Sequence, residues 1–267
     1  MAGKDGVLAV LQACRAASTL SPILKQPILQ SSAKPRNLMN DVSRGLEDVM
    51  RILVYGDSNS WGYLDDGTGI RCVDRWPQVM ARVMRQAGIK VELIEECLPG
   101  RTTTADDPRE GPQFNGMTPF LPILLSHKPL DHVIIMLGTN DLKSRFHRNA
   151  TVIADGVMAL TDVAAKTPCG RGSWTAPETP NVTVICPPIL GSRADNPDWD
   201  RYEEWLEGRS KSELLPDLLK SACAASAIGF IDGNLDATSS SLDPIHWDGN
   251  THIQFGRAVA AKLPMQA

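Results

Sequence analysis

The chain has 267 residues, 42% of them hydrophobic and 22% charged, a composition that suits one substantial globular domain rather than two. A net charge of −4 with scattered lysines and arginines argues against a nucleic-acid partner, and no apolar run is long enough to span a bilayer. Cys14, Cys72, Cys97, Cys169, Cys186 and Cys223 show neither metal-ligand spacing nor a compact disulfide framework, which favours a reducing, cytoplasmic setting.

Residues 1–49 lack a strand pattern and carry no acidic residue between Asp5 and Asp41. Three readings stand open for them. One is a targeting segment. Another is a lipoprotein signal, since Leu11-Gln-Ala-Cys14 looks like a lipobox, although the apolar stretch before it runs only from Val7 to Leu11 and is short for such a signal. The third is an extension upstream of a functional start at Met50. The third is preferred, so the working domain is placed at 50–267.

From Met50 onward, strand and helix patterns alternate. Arg51–Tyr55, Lys90–Cys97, His132–Leu137, Val182–Cys186 and Ile228–Asp232 read as strands. Three of them are continuously apolar, as expected of strands covered on both faces of a parallel sheet. A helix with Asp74 as its cap carries Trp76, Val79, Met80, Val83 and Met84 at helical spacing and stops at Gly88. Further helices are predicted over Thr151–Lys166, Ser210–Ala227 (shortened or kinked by Pro216) and Asn250–Leu263. Thr167–Asn181 and Pro187–Asp200 read as loops, the second a candidate wall of a site. The alternation predicts a three-layer α/β/α, flavodoxin-like fold with a five-stranded parallel sheet.

Chemistry in such a sheet gathers at the carboxyl ends of its strands. The first strand ends in Gly56-Asp57-Ser58, the second runs into Pro99-Gly100-Arg101-Thr102, and the third ends in Gly138-Thr139-Asn140-Asp141. Near the C-terminus stands Asp243-Pro-Ile-His246, whose spacing brings carboxylate and imidazole together on one helical turn. That pair supplies what an exposed serine lacks, a base held in one tautomer. Ser58 by itself could equally cap a helix, and Asn140 could brace a turn. His252 lacks a carboxylate three residues earlier and is a weaker base candidate. His127, His132 and His147 read as structural or exposed. Asp57 is expected to brace its turn, and Arg101 to pair with Asp141 beneath the site. No metal and no cofactor is called for.

The four blocks Gly56-Asp57-Ser58, Gly100, Gly138-Thr139-Asn140-Asp141 and Asp243-x-x-His246 resemble, in order, those of the SGNH hydrolases, also called GDSL esterases. The resemblance covers about 210 residues, and four separate blocks make it specific. The longer runs around Ser58, Arg101-Thr102-Thr103 and Val133–Asp141 are similar to the arylesterase/acyltransferase branch.

The resemblance implies Ser58 as nucleophile, His246 as base and Asp243 as its orienting acid. It implies an oxyanion hole from the N–H groups of Ser58 and Gly100 and the Asn140 amide. A serine opening a helix, a glycine allowing close approach and an uncharged amide donor suit that role. The implied function is a serine esterase acting on small acyl esters, with acyl transfer or perhydrolysis as side activities, working as a homo-oligomer. Carbohydrate deacetylation, lysophospholipid or thioester hydrolysis, and an inactive binding protein on the same fold remain alternatives. Asn59 stands where leucine is usual, facing either the sheet–helix layer or the pocket rim. Trp61, Tyr63 and Trp247, beside the catalytic blocks, are the candidate substrate-contacting aromatics. For Trp199 and Trp205 a pocket wall and ordinary packing are equally good readings.

Overall fold

The computed structural model describes residues 49–173 and 175–263. The readings of residues 1–49 lie outside the described residues except at Val49, whose carbonyl accepts a bond from Arg171 Nη2.

The strands are β1 (Met50–Gly56), β2 (Val91–Cys97), β3 (His132–Met136), β4 (Asn181–Cys186) and β5 (Gly229–Asp232). They form a parallel five-stranded sheet in the order β2-β1-β3-β4-β5. Gly56 is in register with both Cys97 and Met136. The carboxyl ends of β1, β2 and β3 are therefore level neighbours, and the three blocks that follow them start from one edge.

Side chains alternate across each strand and divide the core into two. Ile52, Val54, Ile134, Met136 and Ile185 face one cluster, which holds Trp76, Met80, Trp247 and Phe255. Leu53, Tyr55, Val133, Ile135 and Val184 face the other, with Phe120, Ile153, Leu160 and Leu219. Three layers follow from that division. Each large apolar side chain so buried contributes about 1.5–3 kcal/mol.

The first cluster is covered by α2 (Trp76–Gln86) and α7 (Gly249–Lys262), which pack on each other. The second is covered by α3 (Met117–Ser126), α4 (Ala150–Lys166) and α6 (Leu215–Ala225). The short α1 (Ser58–Trp61) and α5 (Gly208–Ser212) complete the helices longer than a 3-10 turn among the described residues.

Several elements depart from expectation. Asp74 does not cap α2. Arg75 holds that position without a side-chain bond, and Asp74 instead pairs with Arg82 at 2.7 Å. Pro216 sits in the first turn of α6, where a missing N–H costs nothing, so the expected helix divides into α5 and α6. The helix α3 was not anticipated, because Pro119 and Pro122 interrupt its pattern. Among the described residues, no helix is long and apolar enough to cross a membrane, and the five described cysteines are free.

Candidate active site

Ser58 is set by the close join of β1 to α1. A Cβ on Gly56 would run into the Ser60 side chain, so only glycine allows the chain to enter the helix this tightly. Asp57 caps the turn, its Oδ1 accepting from the Asn59 N–H at 3.2 Å. Burial pushes the Asp57 carboxyl up to about 6. With only four residues, α1 has a weak dipole, and Asp57 takes the Asn59 N–H, so the anion-binding capacity at Ser58 rests on the Ser58 N–H itself.

The segment carrying Asp243 and His246 is an irregular turn rather than the helical turn expected. Asp243 Oδ1 accepts from the N–H groups of Ile245 (2.8 Å) and His246 (3.3 Å). Its Oδ2 faces His246 Nδ1 at 2.6 Å, and His246 Nε2 lies 3.0 Å from Ser58 Oγ. Burial acts to raise the Asp243 carboxyl, but the hydrogen bond and charge of His246, together with the backbone N–H groups of Ile245 and His246, hold it below the usual carboxylate value. The last helix is capped by Asp248, whose Oδ1 accepts from Thr251 N at 2.7 Å. Asp243 has no part in that cap.

Asn59 resolves into a structural tie. It is buried, and its Nδ2 donates to the Ile245 carbonyl at 3.1 Å, joining the serine-bearing helix directly to the turn that carries His246. Asn59→Leu is expected to orphan that carbonyl. It should lower unfolding free energy by about 1–3 kcal/mol and depress kcat more than it raises KM; urea denaturation and steady-state kinetics read both.

Gly100 adopts φ +89°, and a Cβ there would press on the Phe114 ring at 3.1 Å. The Asn140 amide donates one hydrogen to the Arg101 carbonyl at 3.1 Å, which leaves its second hydrogen for another acceptor. Arg101 and Asp141 do not pair. Arg101 Nη1 donates to the carbonyls of Gly56 and Glu96, and its guanidinium lies 4.1 Å over the Tyr55 ring. Asp141, fully buried, accepts from Thr103 N (2.8 Å), Thr103 Oγ1 (2.6 Å) and Arg148 Nη1 (3.0 Å). Asp141 takes its cation from Arg148 and the rest of its bonds from Thr103, while Arg101 is turned to backbone carbonyls and the Tyr55 ring, so the two charges serve different partners.

Ser58, Gly100, Asn140, Asp243 and His246 line one cavity of ≈ 400 Å³. Tyr63 also lines it, its ring 4.5 Å from the His246 imidazole. Trp247 does not; it is fully buried against Phe255 and His252 in the core. Trp61 is likewise absent from the lining and stacks near Arg71, at 5.2 Å. Trp205 serves as both core and wall. Sequence reasoning missed Glu110, Lys143 and Arg201, the charged side chains of the lining besides Asp243. The available signal was the position of Lys143, three residues after Asn140. The Pro187–Asp200 loop and Trp199 border a different, larger cavity of ≈ 1070 Å³ that includes none of the catalytic candidates. His252 is buried against Trp247 and does not line the Ser58 cavity, and burial drives it down to about 4.

Residues 54–253 match the model of the GDSL-like lipase/acylhydrolase family. The chain belongs to that family. It is a carboxylic ester hydrolase of the SGNH type. Two solved members are each 34% identical to it. A carbohydrate acetylesterase from Sinorhizobium meliloti superposes with TM-score 0.72, over 80% of this chain and 97% of that one. The aryl esterase of M. smegmatis superposes with TM-score 0.70, over 79% and 97%. A lipase/acylhydrolase from Enterococcus faecalis, at 19% identity and TM-score 0.54, covering 82% of this chain and all of that one, shares the fold alone. No curated protein gave a match.

Proposed function

We propose that this GDSL hydrolase cleaves short-chain acyl esters through an acyl-enzyme formed on Ser58. The observation that carries the reading is the unbroken relay from Asp243 to His246 (2.6 Å) to Ser58 (3.0 Å). Ser58 Oγ attacks the ester carbonyl while His246 Nε2 takes its proton. Asp243 holds the imidazole in the tautomer that can accept that proton. Negative charge developing on the carbonyl oxygen is met by the N–H groups of Ser58 and Gly100 and by the second Asn140 hydrogen. His246 then protonates the departing alcohol. Water, activated by the same imidazole, releases the acid.

The cavity supports a small acyl group. At ≈ 400 Å³ it is near the lower end of ligand-site volumes, and it includes Glu110, Lys143 and Arg201 rather than a long apolar groove. That lining gives no support to lysophospholipid substrates. It also weakens the case for acyl transfer or perhydrolysis, which needs a site where water is a poor competitor. Deacetylation of a carbohydrate is a second reading, favoured by the same charged lining, and a relative of this chain is a carbohydrate acetylesterase.

Initial rates on p-nitrophenyl acetate, butyrate and octanoate test the acyl preference. kcat/KM is expected to fall by more than about 10-fold from acetate to octanoate, since chain beyond the cavity gains no burial. Acetate release from an O-acetylated sugar, measured alongside, weighs the second reading. Faster turnover of octanoate would sink the small-acyl assignment.

A further inference from the structure

Lys143 is the charged group in the cavity whose needs the protein leaves unmet. Its backbone N–H donates to the Asn140 carbonyl at 3.3 Å, so the two side chains leave one short turn beside Ser58. The lysine side chain is only 7% exposed, and its ammonium makes no hydrogen bond to a described residue. The nearest carboxylate oxygen, Glu204 Oε1, is 3.8 Å away. That carboxylate is already engaged: Arg145 holds Oε1 at 2.7 Å, and Arg201 holds Oε2 at 3.0 and 2.9 Å. Asp107 is taken by Arg145 at 2.6 Å. Glu110, half exposed, stands 4.0 Å from Arg145. Asp243 is committed to His246. Trp205 flanks the ammonium at 5.5 Å without offering an acceptor.

An ammonium has three donors, and with the rest of the side chain buried, this one opens only onto the cavity that Lys143 lines. Burial, then the charge of Arg145, pushes the Lys143 pKa below its usual value, and Glu204 only partly restores it. Since Lys143 lines the same cavity as Ser58, the missing acceptor can come from a bound molecule.

We propose that Lys143 is a specificity residue that receives a carboxylate carried by the substrate, so that this site prefers anionic esters to neutral ones of the same shape. The inference rests on the reading of Ser58 as the nucleophile of this cavity. The carboxylate can sit on the alcohol or on the acyl side. A sugar hydroxyl in its place would accept a bond from Lys143 but bring no opposite charge.

Two matched pairs test it in the full-length protein. On the alcohol side, 3-carboxyphenyl acetate is compared with 3-carbamoylphenyl acetate. On the acyl side, mono-4-nitrophenyl succinate is compared with 4-nitrophenyl butyrate. Each ratio of kcat/KM is divided by the ratio of the same esters' hydroxide-catalysed rates. The corrected preference for the anion should reach about 10-fold on one arm, the size of one charge-assisted hydrogen bond. It should weaken with added salt, vanish in Lys143→Gln and survive in Lys143→Arg. A wild type with no anionic preference on either arm, while hydrolysing the neutral esters, overturns this inference alone. So does a preference that persists in Lys143→Gln. No turnover of any of the four esters would overturn the reading of Ser58 and this inference together. The wild-type comparison and Lys143→Arg keep the test decisive if Lys143→Gln fails to fold.

Discussion

Ser58→Ala is expected to lower kcat on p-nitrophenyl acetate by about 10⁵–10⁶-fold, the loss seen when the nucleophile of a serine triad is removed. The size of the effect comes from what remains. Gly100 and Asn140 still line the cavity and can still polarise a carbonyl, but His246 Nε2 loses the hydroxyl 3.0 Å away whose proton it would accept. With no attacking oxygen, no acyl-enzyme forms, and the pre-steady-state burst should disappear with the steady-state rate. Stability should change little. The serine is one small side chain, and the caps and ties around it involve Asp57, Asn59 and the backbone. Thermal melting of the variant separates lost chemistry from lost fold. A variant that melts normally and keeps more than about 1% of wild-type kcat would remove Ser58 from its assigned role, since residual catalysis without a triad nucleophile is far smaller.

How much of this was legible in the sequence depends on the range of the interaction. The sheet was readable because each strand is a local apolar run, and because parallel strands covered on both faces lose their alternation. The blocks at Gly56, Gly100 and Gly138 were readable because sheet geometry brings strand ends together whatever the intervening chain does. The helix α3 was hidden by its own prolines. Asn59 was legible as an anomaly but not as a tie, since its partner carbonyl at Ile245 lies 186 residues away and a backbone carbonyl leaves no mark in a sequence. Trp247 shows the reverse error. Adjacency to His246 suggested contact with substrate, yet successive residues in an extended turn point to opposite sides. His246 faces the cavity and Trp247 the core. The pairing of Arg101 with Asp141 failed for a similar reason. Opposite charges at one edge suggested a salt bridge, while Thr103 and Arg148 lay closer to the carboxylate.

Asp243→Asn is expected to cost about 10⁴-fold in kcat, roughly 5.5 kcal/mol of barrier, by fixing the wrong tautomer of His246. The carboxylate divides its labour between its oxygens. Oδ1 serves the N–H groups of Ile245 and His246, and Oδ2 accepts from His246 Nδ1. An asparagine has one acceptor oxygen and one amide N–H₂ to set against three donors. Keeping its oxygen on the two backbone N–H groups retains the turn, but it then points the amide N–H₂ at Nδ1. That arrangement is met only when Nδ1 carries no proton and Nε2 does, and a protonated Nε2 cannot take the proton from Ser58. Asp243→Ala makes a different demand. It frees the imidazole to sample both tautomers but leaves two backbone donors without their cap. The two variants should therefore rank oppositely in two measurements. Asp243→Asn should melt nearer to wild type than Asp243→Ala, yet turn over p-nitrophenyl acetate no faster, and a purely structural role for the carboxylate would make both rankings run the same way. An asparagine variant retaining more than about a tenth of wild-type kcat would mean that another group orients His246, since a misdirected imidazole leaves far less.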